Sequence, residues 1–219
     1  MKLRVKICCI ASHEEAALAV SYGADAVGLV SEMPSGPGVI SDELAREIAA
    51  RVPPAVASFL LTSRQSAAGI AEQQRRVRAN ALQVVDRLTD GTYRDLRDAL
   101  PGVALVQVVH VGGEESIEEA AGVAPEVDAV LLDSGNQRLA VKELGGTGRT
   151  HDWRVSRRIV ERLNPKPVFL AGGLTPENAR AAADEVGPFG LDVCGGVRTA
   201  GRLNERKLAA FFEQVERFG

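Results

Sequence analysis

Two residues at the ends of short apolar runs and three clusters of glycine have the types and spacing that chemistry would need. Cys8 closes the run Leu3-Arg4-Val5-Lys6-Ile7. The two-residue period of a strand puts Cys8 on one face with Lys6 and Arg4 and leaves Leu3, Val5 and Ile7 on the other. With the apolar set turned to helices, Cys8 faces the opposite side. There the charge of Lys6 would favour the thiolate, the form that takes a proton from carbon or attacks as a nucleophile. The plainer reading is a small residue packed at a strand end. Asp133 closes Ala129-Val130-Leu131-Leu132 and precedes Ser134 and Gly135, so its carboxyl emerges where the chain leaves the core. It is either a cap or turn former for the next loop, or a general acid whose pKa is raised by partial desolvation.

The glycine clusters are Gly145-Gly146-Thr147-Gly148, Gly172-Gly173 and Gly195-Gly196. Glycine lets backbone N–H groups approach an anion closely, and it also serves turns and helix C-caps. Two pairs at matched strand ends are a stronger signal than one, and they mark Gly172, Gly173, Gly195 and Gly196 as phosphate-binding candidates. A short helical turn near residues 196–200 would aim its N-terminus at the same anion, and Arg198 would either add charge there or be an ordinary surface arginine. His13, His110 and His151 have no metal-ligand spacing, so no metal site is assigned. Trp153, at a helix start, reads as a packing anchor.

Positioning these residues requires a particular order of elements. Short β-rich apolar runs at 2–8, 25–30, 55–61, 80–85, 103–110, 127–133, 167–171 and 189–194 alternate with helical patterns at 13–22, 42–51, 65–78, 92–99, 115–122, 153–163, 176–185 and 204–217. Ser12-His13-Glu14-Glu15 reads as a capping box, Thr175-Pro176 as a helix start with proline in the first helical position, and Asn204 as the cap of the last helix. The run 73–78 reads as a solvated helix face. Strands alternating with helices imply right-handed crossovers and a parallel sheet, and eight units favour closure: an α/β protein, one (β/α)8 TIM barrel over residues 1–219. The open doubly wound alternative lacks a Gly-x-Gly-x-x-Gly fingerprint after the first strand. In such a barrel the C-terminal strand ends form the active face, and strands seven and eight commonly carry phosphate.

Composition narrows the class further. Apolar residues are 45% and charged residues 25%, with 26 Lys+Arg against 29 Asp+Glu, which excludes a general nucleic-acid binder. No run reaches the roughly 18 apolar residues of a membrane span, so a cytoplasmic protein is expected. Adjacent Cys8 and Cys9 point to opposite faces and make a poor disulfide, which suits a reducing compartment.

The chain resembles the phosphoribosylanthranilate isomerase family of tryptophan biosynthesis over nearly its whole length. The resemblance is carried by Lys6-Ile7-Cys8, Gly23-Ala24-Asp25-Ala26-Val27-Gly28 and Leu131-Leu132-Asp133-Ser134. It continues through Gly145-Gly146-Thr147-Gly148-Arg149-Thr150 with Asp152-Trp153, Leu170-Ala171-Gly172-Gly173-Leu174 with Pro176-Glu177-Asn178, and Gly190-Leu191-Asp192-Val193. It implies an Amadori rearrangement of an amine-linked ribose phosphate without cofactor or metal. Asp133 would be the general acid on the ring oxygen and Cys8 the general base at C2. Gly172, Gly173, Gly195 and Gly196 would hold phosphate, and Gly146, Thr147 and Gly148 would form a loop over the site. The partner implied is a small phosphorylated aminosugar, bound by a monomer or homodimer.

Two departures fall on one side of the implied pocket. Where the family pattern has Ser-Pro-Arg, whose arginine meets the anthranilate carboxylate, this chain reads Met33-Pro34-Ser35-Gly36-Pro37-Gly38-Val39, and Gln-Leu-His-Gly becomes Gln83-Val84-Val85-Asp86. A lost charge-assisted hydrogen bond costs ~1.5–3 kcal/mol unless another cation substitutes, and Arg64 is a candidate by position. Three readings stay open: the family reaction, the same reaction on a different amine, or a silent barrel that binds a phosphorylated metabolite.

Overall fold

The computed structural model describes residues 3–34, 36–135, 142, 144, 146 and 148–215. Eight parallel strands close into a barrel in chain order: β1 (Arg4–Ile7), β2 (Ala26–Val30), β3 (Ala57–Thr62), β4 (Ala81–Val84), β5 (Ala104–His110), β6 (Ala129–Asp133), β7 (Val168–Leu170) and β8 (Gly190–Val193). Closure is made by β1 against β8, in register from Arg4 with Gly190 to Ile7 with Val193. All eight strands fall where the apolar runs predict them.

Helices α1 (His13–Ser21), α2 (Asp42–Ala49), α3 (Ala67–Val77), α4 (Tyr93–Ala99), α5 (Glu115–Val123), α6 (Trp153–Leu163), α7 (Ala179–Val186) and α8 (Glu205–Val215) lie between and after the strands. The strand period of two divides the core in two. Val5, Ile7, Val27, Leu29, Leu60 and Leu82 point outward and pack under the helices. Ala26, Phe59, Leu61, Val106, Leu131 and Phe169 point inward and fill the barrel. Phe211 and Phe212 of α8 belong to the outer core, whereas Phe218 lies outside the described residues. No helix among the described residues is long and apolar enough to cross a membrane.

Several local expectations are corrected. Ser12 caps α1 by accepting from the Glu15 N–H (3.2 Å), but the Glu15 carboxylate takes the Ala11 N–H (3.1 Å), so only half of the capping box forms. Pro176 is not in a helix. Asn178 closes a turn there, its Oδ1 accepting from the Thr175 N–H (2.8 Å) and its Nδ2 donating to the Gly173 carbonyl (2.9 Å), and α7 begins at Ala179. On α3 only the arginines of the run 73–78 are solvated. Gln73 and Gln74 are buried, with Gln73 bonded to Thr62 Oγ1 (2.8 Å) and Asp42 Oδ1 (2.9 Å). Asn204 caps α8 as expected, accepting from the Lys207 N–H (3.1 Å).

Candidate active site

A cavity of about 510 Å3 opens at the C-terminal ends of the strands, within the range of small-molecule sites. Cys8, Asp133 and the four glycines of the two pairs all line it, together with Gly146 and Gly148. Thr147, predicted in the same loop, lies outside the described residues.

Cys8 follows β1 and is 6% exposed, its N–H bonded to the Val193 carbonyl of β8 (2.8 Å). Room for its side chain comes from β2. A Cβ at Gly28 would sit 2.8 Å from Cys8 Sγ and 3.2 Å from Lys6 Nζ, so glycine there lets both groups occupy the lumen. Lys6 does face the same side as Cys8, yet its charge is already matched. Lys6 Nζ, wholly buried, bonds Asp192 Oδ2 of β8 at 2.8 Å and lies 5.4 Å from the centre of the Phe59 ring. Burial pulls the Lys6 pKa down, but Asp192 and Cys8 outweigh it and the net shift is upward. Asp192 lines the cavity, and its Oδ1 is buried without a hydrogen-bond partner among the described residues. This lysine–aspartate pair was not singled out from the sequence because its members are 186 residues apart and meet only through barrel closure.

Asp133 ends β6 opposite His110 of β5. Desolvation raises its carboxyl above the usual range, against the Ser134 N–H, which donates to Oδ1 at 2.7 Å, and the charges of His110 and Lys6. Gly172 brings the β7 loop onto it: a Cβ there would lie 3.1 Å from His151 Nδ1, 3.1 Å from Ser134 Oγ and 3.2 Å from Asp133 Oδ1. Burial lowers the His151 pKa to about 4, and its Nε2 pairs with Ser156 Oγ (2.7 Å). No group of His, Cys, Asp or Glu able to hold a metal occurs among the described residues.

The glycine pairs are fixed by packing as well as by any ligand. A Cβ at Gly173 would meet the Arg149 carbonyl carbon at 2.6 Å, and one at Gly196 the Leu174 oxygen at 1.9 Å. Gly195 alone of the four faces open space. A one-turn 3-10 helix, Gly195–Val197, starts at this point, as predicted, but Arg198 does not add charge to it. The guanidinium is 7% exposed and turned away. It bonds Glu15 Oε1 and Oε2 (3.0 and 3.1 Å) and the carbonyls of Gly201 (3.1 Å), Cys8 (3.1 Å) and Cys9 (2.6 Å). Neither the surface reading nor the anion-binding reading of Arg198 holds, because an arginine with five donors is the residue that can satisfy so many inward carbonyls.

The opposite end of the cavity is lined by Val30, Met33, Pro37, Leu61, Val85 and Leu144. Gly38 has φ +78°, and a Cβ on it would sit 2.5 Å from Cys9 Cβ, while Cys9 itself has φ +61°. The replacement at position 38 is therefore coupled to the residue after Cys8. Arg64 does not substitute, since it lines a separate groove with Glu32, Asp42 and Glu43. Asp86, after Val85, holds Lys142 Nζ at 2.5 Å. All three cysteines are free; the neighbouring thiols and burial push the Cys9 thiol up, while its neighbour Cys9 and the charge of Arg198 bring the Cys194 thiol down.

The fold is a (β/α)8 barrel with a carboxyl and a thiol at its mouth and glycine pairs at strands seven and eight. A sequence model described as N-(5'-phosphoribosyl)anthranilate (PRA) isomerase matches residues 5–214, and the chain belongs to that family. An N-(5'-phosphoribosyl)anthranilate isomerase of Methanocella arvoryzae is 35% identical over 97% of each chain, and one of Halobacterium salinarum is 37% identical over 95% of this chain and 93% of its own. Phosphoribosyl anthranilate isomerase of Thermotoga maritima superposes with a TM-score of 0.82 at 30% identity, covering 98% of this chain and 99% of that one. A second such structure, in complex with reduced 1-(o-carboxyphenylamino)-1-deoxyribulose 5-phosphate, gives 0.79 at 29% identity with the same coverage.

Proposed function

We propose that this chain catalyses the Amadori rearrangement of N-(5'-phosphoribosyl)anthranilate to the 1-amino-1-deoxyribulose 5-phosphate product, with Asp133 as general acid and Cys8 as general base. The observation that carries the reading is that a carboxyl raised by burial and a thiol from the first strand line one cavity with the glycine cradle. Asp133 gives a proton to the ring oxygen as the C1–O bond breaks, and the nitrogen lone pair forms the iminium. That iminium acidifies the hydrogen on C2, so a base of moderate strength removes it. The C2–H electrons become the C1–C2 double bond of an enaminol as the iminium electrons return to nitrogen, and protonation at C1 with loss of the C2 hydroxyl proton leaves the ketone. Asp192 lines the same space, and its carboxylate suits a sugar hydroxyl. Phosphate held far from the reacting carbons supplies orientation. The assembly is a monomer or homodimer.

Freshly prepared phosphoribosylanthranilate is fluorescent, and its enzyme-dependent decay is the test. Turnover that survives unchanged in Cys8→Ala and Asp133→Asn would reject the acid and base assignment, and no decay with the wild type would reject the substrate. A second reading, the same chemistry on a different amine, is favoured by the Gly38–Cys9 contact at the amine end. Competition between anthranilate-linked and other aryl-amine-linked ribose phosphates separates the two.

A further inference from the structure

We infer that Lys207 is the charged residue of the phosphate subsite, an inference that rests on the phosphate end of the proposed site. Among the described residues lining the cavity it is the only lysine or arginine, and it stands in the first turn of α8, the helix that packs against the Gly195–Val197 turn. Its position is held from behind: Nζ donates to the Arg198 carbonyl at 2.8 Å, one residue past the Gly195–Val197 turn. An ammonium has three donors, so two remain for an anion on the open side at Gly195.

Charge favours the assignment as well. A phosphate monoester carries about −1.5 to −2 at neutral pH, while the glycine N–H groups bring only dipoles. The carboxylate of Glu177 also lines this end, its pKa lowered chiefly by Thr175 and in part by Lys207, and it repels an anion unless a cation stands between. Of the arginines in this segment, Arg198 is committed to Glu15 and to three backbone carbonyls, and Arg202 and Arg206 do not line the cavity. Lys207 is therefore a binding residue, and its contact lies away from the reacting carbons.

Calorimetric titration of inorganic phosphate into the wild type, Lys207→Met and Lys207→Arg tests this without requiring turnover. Lys207→Met is expected to weaken phosphate binding roughly 10- to 100-fold and to flatten its dependence on ionic strength, and Lys207→Arg to restore most of it. With phosphoribosylanthranilate, Lys207→Met should raise KM by a similar factor while kcat stays within about threefold, and the ratio of kcat/KM between that substrate and N-ribosylanthranilate should collapse. Phosphate affinity unchanged within twofold in Lys207→Met overturns the inference. So does an equal loss on both substrates, which would mean that the lysine only props the Arg198 carbonyl. If Lys207→Met is unstable, Lys207→Gln read by the same titration decides. Tight phosphate binding that depends on Lys207, with no isomerisation by the wild type, rejects the proposed reaction and leaves this inference standing.

Discussion

At the residue scale the sharpest consequence concerns Asp133. Its carboxyl is raised in the folded protein, first by desolvation, so over the window above its ordinary pKa the folded state binds more protons than the unfolded one. Stability therefore falls as pH rises through that window. An amide of the same shape has no charge to desolvate. Asp133→Asn should raise the thermal midpoint at pH 8 while lowering kcat by about 10^2 to 10^4, and the stabilisation should vanish below about pH 4. Calorimetry at the two pH values, set beside kinetics, checks it; a midpoint lowered at pH 8 would contradict the sign. Both Cys8 and Asp133 were legible in the sequence because a polar residue terminating an apolar run must emerge at a strand end. Lys6 was legible as a neighbour of Cys8, but its partner was not, since strand alternation says which face a residue takes and not which residue lies across the barrel.

At the scale of elements, loops after β1 and β8 are tied by Arg198 and Glu15. Glu15 accepts from Arg198, from the Ala11 N–H and from the Leu203 N–H (2.8 Å) of β10 (Arg202–Leu203), which pairs with β9 (Arg198–Thr199). Removing the guanidinium leaves the largely buried Glu15 carboxylate without its cation and the carbonyls of Cys8, Cys9 and Gly201 without their Arg198 donor. Arg198→Met should cost about 3–5 kcal/mol in urea unfolding, and Arg198→Lys should recover only part because one ammonium cannot span the fork. The β2–α2 loop gives a second case. Gly38→Ala meets Cys9 at 2.5 Å and forces a left-handed backbone on alanine, so it should destabilise by about 1–3 kcal/mol. Cys9→Gly should relieve the steric share, which a double-mutant cycle reads as coupling. Element identities were readable from period and punctuation, whereas these ties were not. Arg198 and Glu15 are 183 positions apart, and Pro176 misled because a side-chain-closed turn at Asn178 uses the same residues as a helix start.

For the molecule as a whole, stability against pH carries two further contributions beside that of Asp133, one acid and one alkaline. Burial lowers His151 to about 4, so its contribution is fully present above the ordinary histidine value of 6.5 and is lost as pH falls from there. The loss amounts to about 3 kcal/mol by pH 4, and His151→Gln should flatten that part of a urea-unfolding series between pH 7 and 4. The alkaline limb belongs to barrel closure. Lys6 and Asp192 sit on β1 and β8, the strands that close the sheet, and the lysine is wholly buried. Because the Lys6 pKa is raised, the pair's contribution persists up to the ordinary lysine value of 10.5 and is lost only as pH climbs beyond it. Lys6→Met leaves the Asp192 carboxylate buried and without the cation on its Oδ2, and should cost about 3–5 kcal/mol at pH 7. Adding Asp192→Leu removes the stranded charge, so the double variant should regain most of that loss while remaining inactive if Asp192 serves the substrate. A double variant no more stable than Lys6→Met would mean that the closing seam depends on the ion pair itself and not on the absence of an unpaired charge.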